Sequence, residues 1–245
     1  MLKPVDRSFK TFLSNILVAI TFADSKMFKS MWLVLSKPGF LSREFAAGRR
    51  VNYLKPLSLF FVLNLIYFFF PVIQLFNASL QTQLLSPLNK WYQHLIALKL
   101  LHMNMSVSSF QLIYDLKSPG FAKLMVMVFA VVASLPLNLL YRKRSRYFTD
   151  NVGLCVELAC FNLFVNAIML SLIATVFRVG GLLNETVLTI TFISTNLYFL
   201  LRASHTFYHE KGWKLVAKSL VMILILKLSL EVYRTILFFV TLWSM

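Results

Sequence analysis

The sequence predicts an all-α integral membrane bundle of about five transmembrane helices preceded by amphipathic N-terminal helices, and three observations carry that expectation. The 245 residues are 58% hydrophobic and only 14% charged, where soluble domains carry roughly a quarter charged residues. Five apolar runs, 56–76, 121–141, 152–177, 182–201 and 215–243, reach the roughly 20 residues a helix needs to cross a hydrocarbon core of about 30 Å. Finally, the 25 Lys and Arg are distributed asymmetrically between these runs. Ten lie in 1–55, four in 142–151 and three in 202–214, against three in 77–120 and one in 178–181; the remaining four fall within spans. Basic segments stay on the cytoplasmic side, so the N-terminus is expected inside and the C-terminus outside a bacterial inner membrane. The expected division is a basic amphipathic segment, 1–55, and a transmembrane bundle, 56–245.

Within the N-terminal segment, Lys3, Arg7 and Lys10 precede an apolar stretch, as in a secretion signal. Ser14 and Asn15 interrupt that stretch, however, and no small-x-small cleavage site follows. Read as a helix, Phe9, Phe12, Leu13, Ile16, Leu17 and Ile20 share one face, and such a helix lies on the membrane surface or against the bundle. A second amphipathic piece places Met27, Met31, Val34 and Leu35 together, flanked by Lys26, Lys29 and Ser30. It ends at Pro38-Gly39.

Pro71 and Pro136 sit near the ends of the first and second spans, where a kink or stop is tolerated. The outer loop, 77–120, is too long for a turn and is expected to hold a short interfacial helix, with Trp91 and Tyr92 at headgroup level. The fifth run is interrupted by Lys227, Glu231 and Arg234. A charge at a span's centre costs roughly 2.5–3.5 kcal/mol on an insertion scale, so this run crosses only if those charges are paired or solvated.

Ahead of the first span the chain reads Leu35-Ser-Lys-Pro38-Gly39, then Glu44-Phe-Ala-Ala-Gly48-Arg49-Arg50-Val-Asn-Tyr53-Leu-Lys-Pro56. This pattern resembles the signature of an uncharacterised family of bacterial polytopic membrane proteins, in which Pro-Gly precedes Gly-basic-Arg, an aromatic residue and a helix-opening Pro. Weaker echoes run through 147–164 and 198–218. The chain departs from the family in two places. It has no Cys-x-x-Cys of an upstream zinc-ribbon-like segment, and Asp150-Asn151 stands where the family often carries an acidic residue and a His. The resemblance implies a membrane class and names no reaction.

Two constellations stand out. Gly48, Arg49, Arg50, Tyr53 and Lys55 form a basic, aromatic-bearing elbow before a helix. It reads as a positive-inside anchor or, more sharply, as a lipid or phosphate site in which the arginines offer fork-shaped donors and Gly48 allows close approach. Lys227, Glu231 and Arg234, at i, i+4 and i+7, form one stripe able to face the bundle. With Glu157 in the third span they are expected to pair, or else to line an ion path. Asn162 and Asn166 share a face suited to interhelical hydrogen bonds.

His205 and His209, with Glu210, fall short of a metal set, and Cys155 and Cys160 lie on different faces of one helix, so no metal site is expected. No nucleotide loop, serine nucleophile or His-Glu-x-x-His motif occurs, which predicts no enzymatic activity and no cofactor. The net charge of +16 is accounted for by the loops, so no nucleic-acid partner is expected. The expected partners are anionic lipid headgroups, with a membrane-protein partner or a homo-oligomer as further possibilities. The leading expectation is a non-catalytic membrane protein acting through these; the alternative is a small transporter or ion pathway.

Overall fold

The computed structural model describes residues 25–49, 52–69, 76–77, 79–84, 89–103, 105–141, 147–178 and 185–245, and all regular structure among them is helical. The helices are α1 (25–36), α2 (Phe40–Ala46), α3 (Pro56–Phe69), α4 (Leu80–Leu84), α5 (Asn89–Met103) and α6 (Val107–Leu140). Next, α7 (Phe148–Asn162) continues through a π-helical stretch, Leu163–Met169, into α8 (Leu170–Val176). Last come α9 (Glu185–Tyr208) and α10 (Trp213–Trp243). The expected helix through Phe9–Ile20 lies outside the described residues, as does Pro71.

The middle of the bundle is α7. Every residue from Leu154 to Leu163 is buried, because α2, α3, α6 and α9 surround it; a helix apolar all round is a core helix. The other long helices bury one face and leave apolar residues on the other. On α6 the inward side carries small residues, Ala122, Ala130, Ala133 and Ser134, which let neighbouring backbones approach. Its outward side carries Leu124, Leu135 and Leu139, the last 75% exposed. On α3, Leu59, Phe60, Leu63 and Tyr67 point in while Leu57, Phe61 and Leu65 point out. An outward face of leucines and phenylalanines suits hydrocarbon better than water.

By length and composition, three helices among the described residues could cross a membrane: Val107–Leu140, the continuous rod Phe148–Val176, and Val187–Tyr208. The structure therefore supports three of the five expected spans. The first run is described as a helix for only 14 residues, Pro56–Phe69. The fifth is a helix of 31 residues, kept out of the class by Lys214, Lys218, Lys227, Glu231 and Arg234 along its length.

The short helix expected within the outer loop is present as α5, Asn89–Met103, while the end of that loop belongs to α6. Helix α6 begins at Val107 and runs 34 residues, about 51 Å at 1.5 Å per residue, so its first turns occupy the end of the expected loop. With α4 and α5 they wrap the C-terminal end of α10. Leu80, Tyr92, Ile96, Phe110, Tyr114 and Phe238 form a separate core there. The Tyr92 hydroxyl bonds Thr235 at 2.8 Å, and the residue is buried against Phe238 of α10. Trp91 does remain partly exposed, edge-on to Phe239. Pro136 sits inside α6 without ending it.

The N-terminal residues described here belong to the main core: Val34 and Leu41 share a cluster with Leu59, Leu154 and Phe199. Met27, Met31 and Leu35 pack against it, as their spacing predicts. The Ser30 hydroxyl accepts from Leu54 N–H at 2.9 Å, tying the approach to α3 onto α1. Between α1 and α2 the chain turns at Pro38-Gly39, where Gly39 has φ +79° and an added Cβ would meet the Ala203 backbone of α9 at 3.0 Å. Gly48, after α2, has φ +78° with open space around it.

These two glycines give a paired prediction. Gly48→Ala should lose only the left-handed conformational term, about 1–2 kcal/mol. Gly39→Ala should lose that and the close packing on α9, so its unfolding midpoint in detergent should fall further. Equal losses would show that the contact with α9 contributes nothing.

Candidate functional site

A single buried carboxyl organises the basic end of the molecule. Glu157, on α7, is fully buried, and its Oε1 accepts from Gly39 N–H at 2.8 Å while Oε2 accepts from Ser42 N–H at 2.8 Å and Ser42 Oγ at 2.5 Å. These donors are the free N–H groups at the start of α2, which an acidic group satisfies both by hydrogen bonding and through the helix dipole. Gly39, whose φ permits the turn, aims its own N–H at the carboxyl. Glu157 therefore does not pair with the α10 charges as expected: its partners come from the N-terminal segment.

The elbow after α2 is built by a glycine-capped helix end. Gly48 N–H bonds Phe45 O at 3.0 Å and Arg49 N–H bonds Glu44 O at 2.9 Å, a Schellman motif that needs a left-handed residue at Gly48. The guanidinium of Arg49 then grips Glu44 through Nε at 2.7 Å and Nη2 at 2.8 Å. That contact holds the Glu44 carboxyl below the ordinary carboxylate range. The fork of Arg49 is thus occupied by a protein carboxylate. Tyr53 lies between Lys29, 5.2 Å above its ring, and the edge of Phe40, and Lys55 is exposed. Arg49, Tyr53 and Lys55 converge on a crevice of only about 10 Å³. Arg50 lies outside the described residues.

A much larger cavity, about 360 Å³, opens on the other side of α2, lined by Ser36, Lys37, Phe40, Arg43, Arg202 and Thr206. Phe40 and Arg43 share a face of α2, with the guanidinium stacked 5.0 Å over the Phe40 ring. Arg202 and Thr206, four apart, share a face of α9. Arg43 Nε is buried without an acceptor among the described residues. Sequence reasoning missed this assembly. The Pro38-Gly39 break signals that Lys37 and Arg43 come close, but nothing local announces Arg202, some 160 positions later.

The remaining candidates are dispersed. Lys227 is exposed, and Glu231 meets Arg234 of its own helix at 3.4 Å, so the stripe stays on α10. Asn162 and Asn196 exchange reciprocal amide bonds of 2.9 Å between α7 and α9. Asn166 joins them, donating to Asn162 at 2.8 Å and to Thr195 at 3.0 Å. The expected interhelical role of the asparagines is borne out, and its unforeseen partner is Asn196. His205 and His209 are both exposed; His209 adopts φ 56° beyond the end of α9, and Glu210 turns to Lys218 at 2.7 Å. Both cysteines are buried free thiols.

The helix ends on this side are cross-linked by polar side chains. Tyr141 and Tyr208 stack at 3.9 Å, Tyr141 Oη bonds Ser204 at 2.6 Å, and Tyr208 Oη donates to Asn151 at 2.6 Å, which in turn donates to Asn138 at 2.8 Å. The end of α6 and the starts of α7 and α10 thus meet the end of α9 beside the docked α2.

Residues 24–68 match the family described as a protein of unknown function, DUF3667. That stretch runs from α1 into α3 and contains both the Pro38-Gly39 turn and the Gly48 elbow, in agreement with the resemblance those motifs carry. Neither a curated protein nor a solved structure matches the chain.

Replacing Glu157 by Gln keeps the shape but turns one acceptor into a donor facing an N–H group. Each hydrogen bond to a charged group is worth about 1.5–3 kcal/mol. Glu157→Gln should therefore speed amide exchange through 39–46 selectively, with Ser42→Ala milder. Unchanged protection of α2 would show that the carboxyl does not hold it.

Proposed function

We propose that the protein is a non-catalytic multi-pass protein of the bacterial inner membrane that acts at the cytoplasmic surface through anionic lipid headgroups. The observation that supports this most is the outer face of α1. While its inner face packs on the core, Phe28 and Trp32 stand 63% and 67% exposed, one helical turn apart, beside the exposed Lys29. Aromatic rings with lysines between them are the residue set of a helix lying in the headgroup layer. This helix sits at the end of the bundle where the described parts of the basic segments gather, and each basic residue near an anionic surface contributes on the order of 1 kcal/mol. In this arrangement α3 and α10 complete five crossings, leaving the N-terminus inside and the C-terminus outside.

Two measurements test the proposal. Native mass spectrometry of the protein drawn from a mixed membrane should find anionic lipid enriched over zwitterionic lipid. Phe28→Ser with Trp32→Ser and Lys29→Gln should reduce the enrichment without lowering the unfolding midpoint; a bound-lipid profile of the unsubstituted protein that mirrors the bulk membrane would sink the idea. Separately, a reporter fused after Met245 should be active only in the external compartment. Cytoplasmic activity would mean that α10 does not cross.

A further inference from the structure

We propose that the 360 Å³ cavity between α2 and α9 is a binding site for a phosphate monoester group, taken from a lipid headgroup or from a soluble phosphorylated molecule. It deepens the headgroup function proposed above and rests on it only for the source of the phosphate. Three cations, Lys37, Arg43 and Arg202, line the cavity together with the hydroxyl residues Ser36 and Thr206, and among the described residues no carboxylate joins them.

Like charges around one cavity repel, and their neighbours among the described residues do not relieve them. Among the described residues Lys37 and Arg202 make no ion pair, and Arg43 reaches Glu44 only at 3.4 Å, a carboxylate already gripped by Arg49 at 2.7 Å. The buried Nε of Arg43 still lacks an acceptor, although a guanidinium normally uses its donors when buried.

The chemistry favours a tetrahedral dianion over other anions. Two guanidinium forks match phosphate oxygens bidentately while a lysine supplies a mobile point charge. The cations come from the α1–α2 turn, from α2 and from α9, so they approach from several directions, where a planar carboxylate would engage one fork. Phe40 orders its wall by holding Arg43 through the cation–π contact. Its ring is fixed in turn by Tyr53, which carries the Lys29 contact. Gly39 lets α2 approach α9 at Ala203 while Glu157 of α7 holds the start of α2, so the cavity depends on the docking that the buried carboxyl enforces.

The test uses the full chain in nanodiscs of neutral phosphatidylcholine, at fixed ionic strength. Inorganic phosphate is titrated in one arm; in the other, phosphatidic acid is included in the disc, with the phosphodiester phosphatidylglycerol as comparison, and bound lipid is counted. Arg202→Gln and Thr206→Val lie on the accessible face of α9 and preserve the fold if Arg43→Gln does not; Lys227→Gln is the charge-matched control on α10. Saturable binding of phosphate or of phosphatidic acid, weakened at least about tenfold by Arg202→Gln and unmoved by Lys227→Gln, supports the site.

Binding of free phosphate without any preference for anionic lipid supports the site and removes the headgroup function. Retained enrichment of anionic lipid in Arg202→Gln and Arg43→Gln, reduced only in the α1 triple variant, overturns the site and leaves that function standing. Absence of saturable binding in both arms, or equal weakening by Lys227→Gln, overturns the site as well.

Discussion

A carboxyl on the most buried helix of a bundle has to be satisfied, and the way Glu157 is satisfied dictates the architecture around it. Enclosed on α7, it is shut off from bulk solvent, and its oxygens take three donors from the start of α2. Leaving such a group unpaired costs several kcal/mol, which makes docking of the N-terminal segment a requirement of the bundle and not an ornament on it. The turn that presents these donors needs a left-handed residue tight against α9, and Gly39 meets both demands. With α2 thus placed, the Schellman end at Gly48 steers the chain toward Pro56 and the start of α3, where Pro56 O accepts a weak bond from Cys160 of the same central helix.

The same logic, applied deeper, explains the polar ladder. Asn162, Asn166, Asn196 and Thr195 satisfy one another between α7 and α9, and the two on the central rod lie at the start of and within the π-helical stretch Leu163–Met169. A π-turn widens a helix and frees a backbone position; amide side chains that reach across to the neighbour fill the need locally. Because every member of this network has partners within it, it acts as a clamp between helices. The basic cavity beside α2 differs in kind, since among the described residues its cations have no carboxylate between them.

Much of this could be read from the residues, and what could not shares one physical cause. Periodicity on one helix is visible in sequence: the apolar faces of α1, the paired asparagines and the long apolar runs are all local patterns. Pairing between distant helices is not. Glu157 reads as a partner for Lys227, Glu231 and Arg234 because all four are charges within apolar runs, whereas backbone N–H groups at Gly39 and Ser42 carry no charge to notice. Tyr92 reads as an interfacial anchor because its neighbour Trp91 does the same, and only the fold reveals that α5 wraps α10 and draws it inward. The 34-residue length of α6 was hidden by Asp115, Lys117, Pro119 and Gly120, a polar and helix-unfriendly patch that tertiary packing overrides: Ser118 bonds Asn77 and Asp115 caps Leu80 at 2.9 Å.

The acidic residues are few, and those whose side chains are described are all committed. Glu44 is held by Arg49, Asp115 by Leu80 N–H, Asp150 by Tyr147 N–H, Glu157 by α2, Glu210 by Lys218 and Glu231 by Arg234. Asp115, Asp150 and Glu157 neutralise backbone donors, and none of the six reaches Lys37 or Arg202. At the basic end, therefore, positive charge exceeds what the described acids can balance, and it is concentrated where α2 is held against α9. Exposed charges of this sort are screened by salt over about 8–10 Å, and Lys37, Arg43 and Arg202 line one cavity. None of the described acids supplies their balance, so the docking of α2 by Glu157 is the step that gathers Lys37, Arg43 and Arg202 onto one cavity wall.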